Sequence, residues 1–256
     1  MQPVLFSIFG LEIKAYGFFI AIAFLAGIQL AAYFIKKDGE DPEPLYDLSL
    51  YLLISAILGA RLLEVIVNYK DYIDSPLDMF KIWNGGLTFY GGLIATVIVG
   101  KIYVKKHKLD FFKYGDYIAP SMAFGYMFGR TGCFFAGCCY GKAAAVGHFC
   151  QTFTHAESFA PKNVCLYPTQ LYGALSALFI GIILLIMRKH HSFKGQLFLL
   201  FFILYAPARF AIEFLRNDTR GLYFNNLLST SQLIGIPFFI GALIYYFHLR
   251  KKNKFA

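Results

Sequence analysis

The chain has 256 residues, of which 58% are hydrophobic and 15% are charged, with a formal net charge of +9 and a mean hydropathy of +0.55. This composition is too apolar for the surface of a water-soluble domain. The basic residues lie in short clusters between apolar runs, which argues against nucleic-acid binding. The sequence therefore predicts an all-α polytopic membrane protein that forms a single integral membrane domain over residues 1–256.

Seven apolar segments are long enough to cross a hydrocarbon core of about 30 Å. They are residues 16–35, 47–67, 87–104, 117–137, 168–187, 195–215 and 230–249. The first segment lacks a basic stretch before it and a small-residue cleavage site after it, so we expect it to be retained as the first span. Lysine and arginine are concentrated in the connections opposite the N-terminus, for example at residues 105–108 and 250–254. The positive-inside rule then predicts an exoplasmic N-terminus and a cytoplasmic C-terminus.

The longest connection, residues 138–167, falls on the outer side in that orientation, and we expect it to form a small exoplasmic cap. It begins within the stretch GYMFGRTGCFFAGCCYGK at residues 125–142, where an arginine, several glycines and three cysteines end an apolar run. Segments 84–92 and 216–229 fall on the same side. The candidate functional residues are therefore expected to converge on the outer face.

Charged residues inside apolar segments mark candidate sites, because each costs on the order of 3 kcal/mol in a membrane. Arg209 and Glu213 are four residues apart and share a helix face, and Arg61 and Glu64 are three residues apart. Each of these arginines could be satisfied by the carboxylate on its own helix. Arg130 has no such neighbour, so its partner must come from another segment or from an anionic ligand such as a phosphodiester.

Glycines and tyrosines supply further candidates. Paired glycines flank Tyr90 in the segment GGLTFYGG, which includes Gly86 and Gly91. Such glycines allow close approach of either a ligand or a neighbouring helix. Tyr16 and Tyr205 fit either substrate contacts or ordinary interfacial aromatics.

The five cysteines allow several interpretations. Cys133, Cys138 and Cys139 do not follow the C-x-x-C spacing of zinc sites. Cys150 and Cys165, in the outer connection, are candidates for a disulfide with each other or with the adjacent pair. The remaining thiols could be structural, or could serve as a catalytic thiol or a metal ligand. The sequence alone predicts no specific metal site.

Five segments in chain order are similar to those of one known family. KAYG at residues 14–17 opens the first span, and IWNGGLTFYGGLI at 82–94 resembles a WxGGLSFHGGLIG stretch. GRTGCFFAGCCYG at 129–141 resembles GRxGNFxNGExxG, YPTQLY at 167–172 resembles HPSQLYE, and YAPARFAIEFLR at 205–216 resembles YGxxRFxxEFxR. Together they resemble the bacterial prolipoprotein diacylglyceryl transferase family along the whole chain.

The resemblance implies an enzyme of the bacterial plasma (inner) membrane. The sequence itself predicts no cofactor and no metal. It would transfer the diacylglyceryl group from phosphatidylglycerol to the lipobox cysteine thiol of preprolipoproteins, the first step of lipoprotein biosynthesis. Its partners would be phosphatidylglycerol, the lipobox of the signal peptide and the bilayer. The catalytic residues implied are Arg130, Arg209 and Tyr90. The substrate-binding residues implied are Tyr16, Gly86, Gly91, Gly129, Gly132, Cys133, Gly141, Tyr205 and Glu213.

The chain departs from the family's pattern at several polar positions. Tyr90 stands where the family commonly has histidine, and a phenol with a pKa near about 10 is a weaker base at neutral pH than an imidazole near about 6.5. Cys133 and Cys138 replace an asparagine and a glutamate, and the HPSQLYE segment has Tyr167 and Gly173 at its ends. Two alternatives follow: a paralogue that uses cysteines for covalent or redox chemistry on a lipid or thiol, and a non-enzymatic binder or transporter of anionic lipids or solutes. The lack of internal repeats argues against transport.

Overall fold

The computed structural model describes residues 2–8, 11–73, 75–81, 86–217, 222–223 and 228–253. Trp83, Asn84 and Gly85 of the glycine-rich segment lie outside the described residues. So do most of segment 216–229 and Lys254 of the C-terminal basic cluster.

Seven α-helices occur in the described part of the chain, and each overlaps one predicted apolar segment. They are α1 Ala15–Lys37, α2 Glu43–Val67, α3 Phe89–Lys106, α4 Phe111–Ala136, α5 Thr169–Arg188, α6 Gln196–Glu213 and α7 Thr230–Asn253. Five of them, α1, α2, α5, α6 and α7, are long and apolar enough to cross a membrane. The prediction of an all-α membrane protein is thereby confirmed.

Large apolar side chains cover the outer faces of these helices. Leu25, Leu58, Leu175 and Ile244 are all more than half exposed. Apolar surface on this scale is unfavourable in water but suits contact with lipid chains. In lipid, every backbone N–H and C=O must be satisfied within the chain, which is why the apolar segments form helices.

The chain divides into two compact units, one of residues 32–111 and one of residues 1–31 with 112–256. In the first unit, α2 packs closely on α3 through small residues. A Cβ placed at Gly59 would lie 2.6 Å from the Gly91 carbonyl oxygen, and one at Gly92 would lie 2.9 Å from that of Ala56. Glycines on both helices therefore allow their backbones to approach.

Arg61 and Glu64, on α2, are each bonded to the segment that leads into α3. Arg61 donates from Nε to the Met79 carbonyl at 2.8 Å and from Nη1 to the Gly86 carbonyl at 2.9 Å. Glu64 accepts a hydrogen bond from the Thr88 hydroxyl at 2.5 Å. The two side chains thus anchor the start of α3 to α2.

In the second unit, α4 packs against α5 and α6 around a buried apolar core. That core consists of Ala119, Ala123, Ile180, Leu184, Leu197 and Phe201. Asp116 on α4 accepts hydrogen bonds from the Gly195 and Phe198 N–H groups, at 2.6 and 3.0 Å. A carboxylate from α4 thereby satisfies N–H groups at the start of α6 that have no partner within that helix.

Short antiparallel hairpins complete the second unit. They pair β1 Val4–Ile8 with β2 Leu11–Lys14, β3 Gln151–Thr152 with β4 Cys165–Leu166, and β5 Leu222–Tyr223 with β6 Leu228–Ser229. The middle hairpin lies in residues 138–167 and carries a Cys150–Cys165 disulfide, with 5.4 Å between the Cα atoms. This confirms one of the two pairings considered for these cysteines. Phe153, Ala160 and Leu166 form a small apolar cluster beneath it.

Candidate functional site

Arg130 lies near the end of α4 and is held by a tyrosine one turn earlier. Its Nε donates a hydrogen bond to the Tyr126 hydroxyl at 2.8 Å, and its guanidinium lies 4.8 Å from the centre of the Tyr126 ring. A Cβ at Gly173 on α5 would lie 3.3 Å from Arg130 Cγ, so α5 packs against the arginine's aliphatic part. Among the residues that the structure describes, no carboxylate forms an ion pair with Arg130. Its remaining donors suit an external anion.

A tyrosine pair connects Arg130 with the arginine of α6. The rings of Tyr126 and Tyr205 meet edge to face, with centroids 5.1 Å apart. Tyr205 lies one helical turn before Arg209 and within electrostatic range of both arginines. Sequence reasoning missed Tyr126, although its spacing of four residues from Arg130 is the same helical signal that linked Arg209 to Glu213.

Arg209 is positioned by a carboxylate and a hydroxyl. It forms an ion pair with Glu213 and donates from Nη2 to the Ser231 hydroxyl of α7 at 3.3 Å. Ser231 in turn donates to the second oxygen of Glu213 at 2.5 Å. The pairing of Arg209 with Glu213, one of the alternatives that their spacing allowed, is present. Arg216 Nε lies 3.7 Å from Glu213, so one carboxylate serves two arginines.

Three cysteines that are not in the disulfide come together where α4 ends. Cys133, Cys138 and Cys139 remain as thiols, and their Sγ atoms lie within 4.8 Å of one another. Hydrogen bonds from the Cys133 and Cys138 thiols lower the pKa of the Cys139 thiol, and the nearby charges of Arg216 and Arg130 act in the same direction. Hydrogen bonds to the other two sulfurs, together with burial, raise the pKa of the Cys138 thiol. Motif spacing alone did not predict this cluster.

Comparison with known proteins then assigns the chain to a family. A model of the prolipoprotein diacylglyceryl transferase family matches residues 3–248. The chain belongs to this family. It is similar to a phosphatidylglycerol–prolipoprotein diacylglyceryl transferase of Clostridium tetani, with 38% identity over 246 residues that cover 96% of this chain and 97% of the relative. A relative in Clostridium perfringens, named phosphatidylglycerol–prolipoprotein diacylglyceryl transferase 2, is 34% identical over 251 residues. The match covers 96% of this chain and 94% of the relative. One in Clostridium botulinum strain Langeland is 34% identical over 257 residues, covering 99% of both chains.

Two glycines of the family's GRxG motif pack α4 against α1. A Cβ at Gly132 would lie 3.3 Å from the Tyr16 Cα and 3.1 Å from the Phe19 Cβ, and one at Gly129 would lie 3.6 Å from the Ile20 side chain. The close approach brings Tyr16 within electrostatic range of Arg130 and of the three thiols. The structure thus gives both glycines a packing role, while their contact with substrate stays a prediction.

The last glycine of that motif, Gly141, sits where three backbone segments meet. Its N–H donates to the Tyr167 carbonyl at 3.1 Å, and it forms an antiparallel β-bridge with Arg216. A Cβ there would lie 2.6 Å from the Tyr167 oxygen and 2.8 Å from that of Leu215. Only glycine fits without displacing backbone. Gly141 therefore lies where the connection after α4 contacts the chain just beyond the C-terminal end of α6.

Tyr90, Gly86 and Gly91 belong to the unit of residues 32–111, whereas the arginine pair belongs to the other unit. Tyr90 is 47% exposed at the start of α3. Gly86 has φ of 66°, a left-handed conformation that favours glycine. Gly91 faces Gly59, which supports the helix-packing interpretation of this position. The catalytic role of Tyr90 and the substrate contacts of both glycines stay predictions.

Proposed function

We propose that this protein transfers the diacylglyceryl group from phosphatidylglycerol to the lipobox cysteine thiol of preprolipoproteins, with release of glycerol phosphate. Membership of the family and similarity along the whole chain to relatives named for this reaction support the proposal. The structural observation that most supports the proposed transfer is the environment of Arg130. This half-buried cation is held by Tyr126 and has no carboxylate partner among the described residues.

Arg130 fits a role on the phosphate of the lipid. When the bond between the glyceryl carbon and its oxygen breaks, negative charge develops on the departing phosphate. A guanidinium can donate two parallel hydrogen bonds to such an anion, and a preorganised donor stabilises the transition state without reorganising. Because Tyr126 holds the Nε, the Nη groups are the donors that would meet the phosphate.

Arg209 would supply a second positive charge to the same phosphate. Its orientation is set by Glu213 and Ser231, and Tyr205, one turn earlier on α6, contacts the ring of Tyr126. In this arrangement Glu213 positions Arg209 and does not itself react.

The acceptor sulfur would attack the glyceryl carbon as a thiolate. A sulfur–carbon bond forms, the carbon–oxygen bond to phosphate breaks, and the proton of the thiol ends on the released glycerol phosphate or in water. Tyr90 would polarise the thiol or a lipid hydroxyl. The substrate-binding positions would be Tyr16, Gly86, Gly91, Gly129, Gly132, Cys133, Gly141 and Tyr205.

The proposed topology has seven spans, an exoplasmic N-terminus and a cytoplasmic C-terminus in a bacterial plasma membrane. The Cys150–Cys165 disulfide supports an outer location for residues 138–167 as a small cap, since disulfides persist in oxidising compartments. The basic residues at the end of α7 support a cytoplasmic C-terminus. Reporters fused to the C-terminus test this: a fluorescent protein should be active there and an alkaline phosphatase inactive, and the reverse pattern contradicts the topology.

The proposed activity is tested by complementation. The gene is expressed in a strain depleted of its own transferase, and the lipobox peptide of a resident lipoprotein is analysed by mass spectrometry. A thioether-linked diacylglyceryl group on the cysteine is the expected result. If the protein is present in the membrane and the peptide stays unmodified, both in cells and with purified phosphatidylglycerol, the proposed function is wrong.

A further inference from the structure

The backbone after α4 folds back to bring its three thiols together. Gly137 and Cys139 have φ of 70° and 59°, and the Cys138 N–H donates to the Cys133 carbonyl at 3.1 Å. A left-handed conformation is uncommon for any residue with a side chain, and it costs on the order of 1–3 kcal/mol. At Cys139 this conformation directs the sulfur towards those of Cys133 and Cys138.

Helix α5 holds this turn in place through its first two residues. The Gln170 Nε2 donates to the Cys138 carbonyl at 2.8 Å, and the Thr169 hydroxyl donates to the Cys139 carbonyl at 2.9 Å. Both side chains are almost fully buried. These bonds go to the backbone carbonyls of the two cysteines, so they fix the turn that positions the thiols. The buried Oε1 of Gln170 has no donor among the described residues and can accept one from a bound ligand.

The spacing of the sulfurs suits a metal ion. Zn–S bonds of about 2.3 Å in tetrahedral geometry place two sulfurs about 3.8 Å apart. The observed upper limit of 4.8 Å for the cluster needs adjustments of about 1 Å to reach this. Three sulfur ligands select a thiophilic ion and exclude magnesium and calcium, which prefer oxygen. Three protein ligands with an open fourth position are the pattern of a catalytic zinc site, whereas structural zinc sites use four.

The surroundings of the cluster suit the charge of such a complex. Three thiolates around Zn²⁺ leave an excess of one negative charge. Arg130 and Arg216 both interact electrostatically with Cys139, and such cations stabilise a negative centre in a low dielectric. Arg130 is also the residue proposed to hold the lipid phosphate, so an ion at the thiols would lie beside that phosphate.

We propose that Cys133, Cys138 and Cys139 bind a zinc ion whose fourth coordination position takes the lipobox cysteine sulfur of the incoming substrate. This inference rests on the proposed transferase function and deepens it. A thiol that coordinates zinc is deprotonated outright, so the site supplies the thiolate nucleophile.

The step balances without any oxidant or reductant. The substrate thiol displaces water from zinc and loses its proton to solvent. A sulfur electron pair forms the bond to the glyceryl carbon, and the electrons of the broken carbon–oxygen bond leave with the phosphate, which is held by Arg130. The thioether product is neutral and a weaker zinc ligand than a thiolate, so water replaces it.

The first test measures metal binding directly. Untagged protein is purified in detergent, stripped with a chelator and reloaded with zinc, and the bound zinc is measured by mass spectrometry and by competition with a chelating indicator. We expect one zinc per chain. Replacing a residue that only supports a ligand costs about 10–100-fold in affinity, so each single cysteine-to-serine variant of the cluster should lose more than about 100-fold. Gln170→Ala should lose about 10–100-fold.

Two comparisons keep the metal test specific. The double variant Cys150→Ser with Cys165→Ser removes two sulfurs from outside the cluster and should still bind one zinc. Cobalt loaded in place of zinc should give the intense sulfur-to-cobalt absorption in the native protein and lose it in the cluster variants. Stoichiometric Cu(I) binding without zinc binding, a disulfide within the cluster in protein isolated without oxygen, or full zinc binding by the Cys133, Cys138 and Cys139 variants would each overturn the proposal.

The second test concerns the open position. A lipobox peptide should raise the number of sulfur neighbours of the metal from three to four in X-ray absorption spectra, and a peptide with serine in place of the cysteine should leave it at three. If the cysteine-containing peptide leaves the number of sulfur neighbours at three, the proposed substrate role is wrong. Lipidation by metal-free protein would refute this inference while leaving the transferase function intact. Zinc and peptide binding without any lipidation would refute the transferase function instead.

Discussion

Replacing Arg130 should reduce the rate of transfer with little effect on folding. Loss of one preorganised donor to a developing oxyanion typically costs about 10²–10³-fold in kcat, or about 2.7–4 kcal/mol. We expect this loss for Arg130→Ala. Arg130→Lys keeps the positive charge but cannot form the fork of two parallel bonds. The lysine variant should therefore lie between the alanine variant and the native protein.

Tyr126→Phe tests whether the tyrosine acts through Arg130. It removes the hydroxyl that accepts from Nε at 2.8 Å and keeps the ring beneath the guanidinium. A hydrogen bond to a charged group contributes about 1.5–3 kcal/mol. Since about 1.4 kcal/mol corresponds to a factor of ten in rate, we expect a decrease of about 10–100-fold. In the Arg130→Ala background the same change should have little further effect, because the two residues act together.

The assay uses purified variants in nanodiscs that contain phosphatidylglycerol, with kcat and KM measured on a labelled lipobox peptide and the product checked by mass. Gly125→Ala is the matched control on the same helix, because a Cβ at that position meets no atom within 4 Å. It should match the native rate and melting temperature. An Arg130→Ala enzyme within about threefold of the native rate would refute the assignment, since the effect of removing an oxyanion donor is far larger.

Three further variants probe the surrounding structure. Gly141→Ala should lower the melting temperature in detergent, because its Cβ would overlap backbone oxygens and overpacking costs about 1–3 kcal/mol. Glu213→Gln should lower both stability and kcat, since breaking a buried ion pair costs about 3–5 kcal/mol and leaves Arg209 without its carboxylate. Cys150→Ser together with Cys165→Ser should lose about 3 kcal/mol of stability in chemical denaturation, as expected for a closed loop of 15 residues.

Each of these expectations has a control or a result that would contradict it. Gly17→Ala on α1 meets no atom within 4 Å and should leave the melting temperature unchanged. A Gly141→Ala protein as stable as this control would contradict the close backbone approach. Unchanged kcat in Glu213→Gln would show that Arg209 does not depend on its carboxylate. Reduction of the native disulfide should reproduce the stability of the double serine variant, and a clear difference would contradict its assigned role.

Local spacing correctly indicated the helical segments and one of the two ion pairs that it suggested within a helix. The apolar segments became the seven described helices, and Arg209 pairs with Glu213 as their spacing predicted. The same rule could have linked Tyr126 to Arg130. It did not describe Arg61, whose donors reach the carbonyl groups of Asp78, Met79 and Gly86, which are distant in sequence.

The thiol cluster shows why spacing alone was insufficient there. Cys138 and Cys139 are adjacent, and an extended chain would direct their side chains to opposite sides. Two left-handed residues and hydrogen bonds from Gln170 and Thr169 turn both sulfurs towards Cys133. These partners are about thirty residues away in the chain, so no local pattern contains them.

Composition and periodicity were enough to predict a helical membrane protein, because in lipid every backbone group must be satisfied within its own segment. The order of short segments along the chain was enough to indicate the family. The surroundings of Arg130, the packing of Gly141 between three backbone segments and the meeting of the three thiols emerged only from the folded chain. Each depends on contacts between distant segments, which follow from how the helices pack and not from their individual sequences.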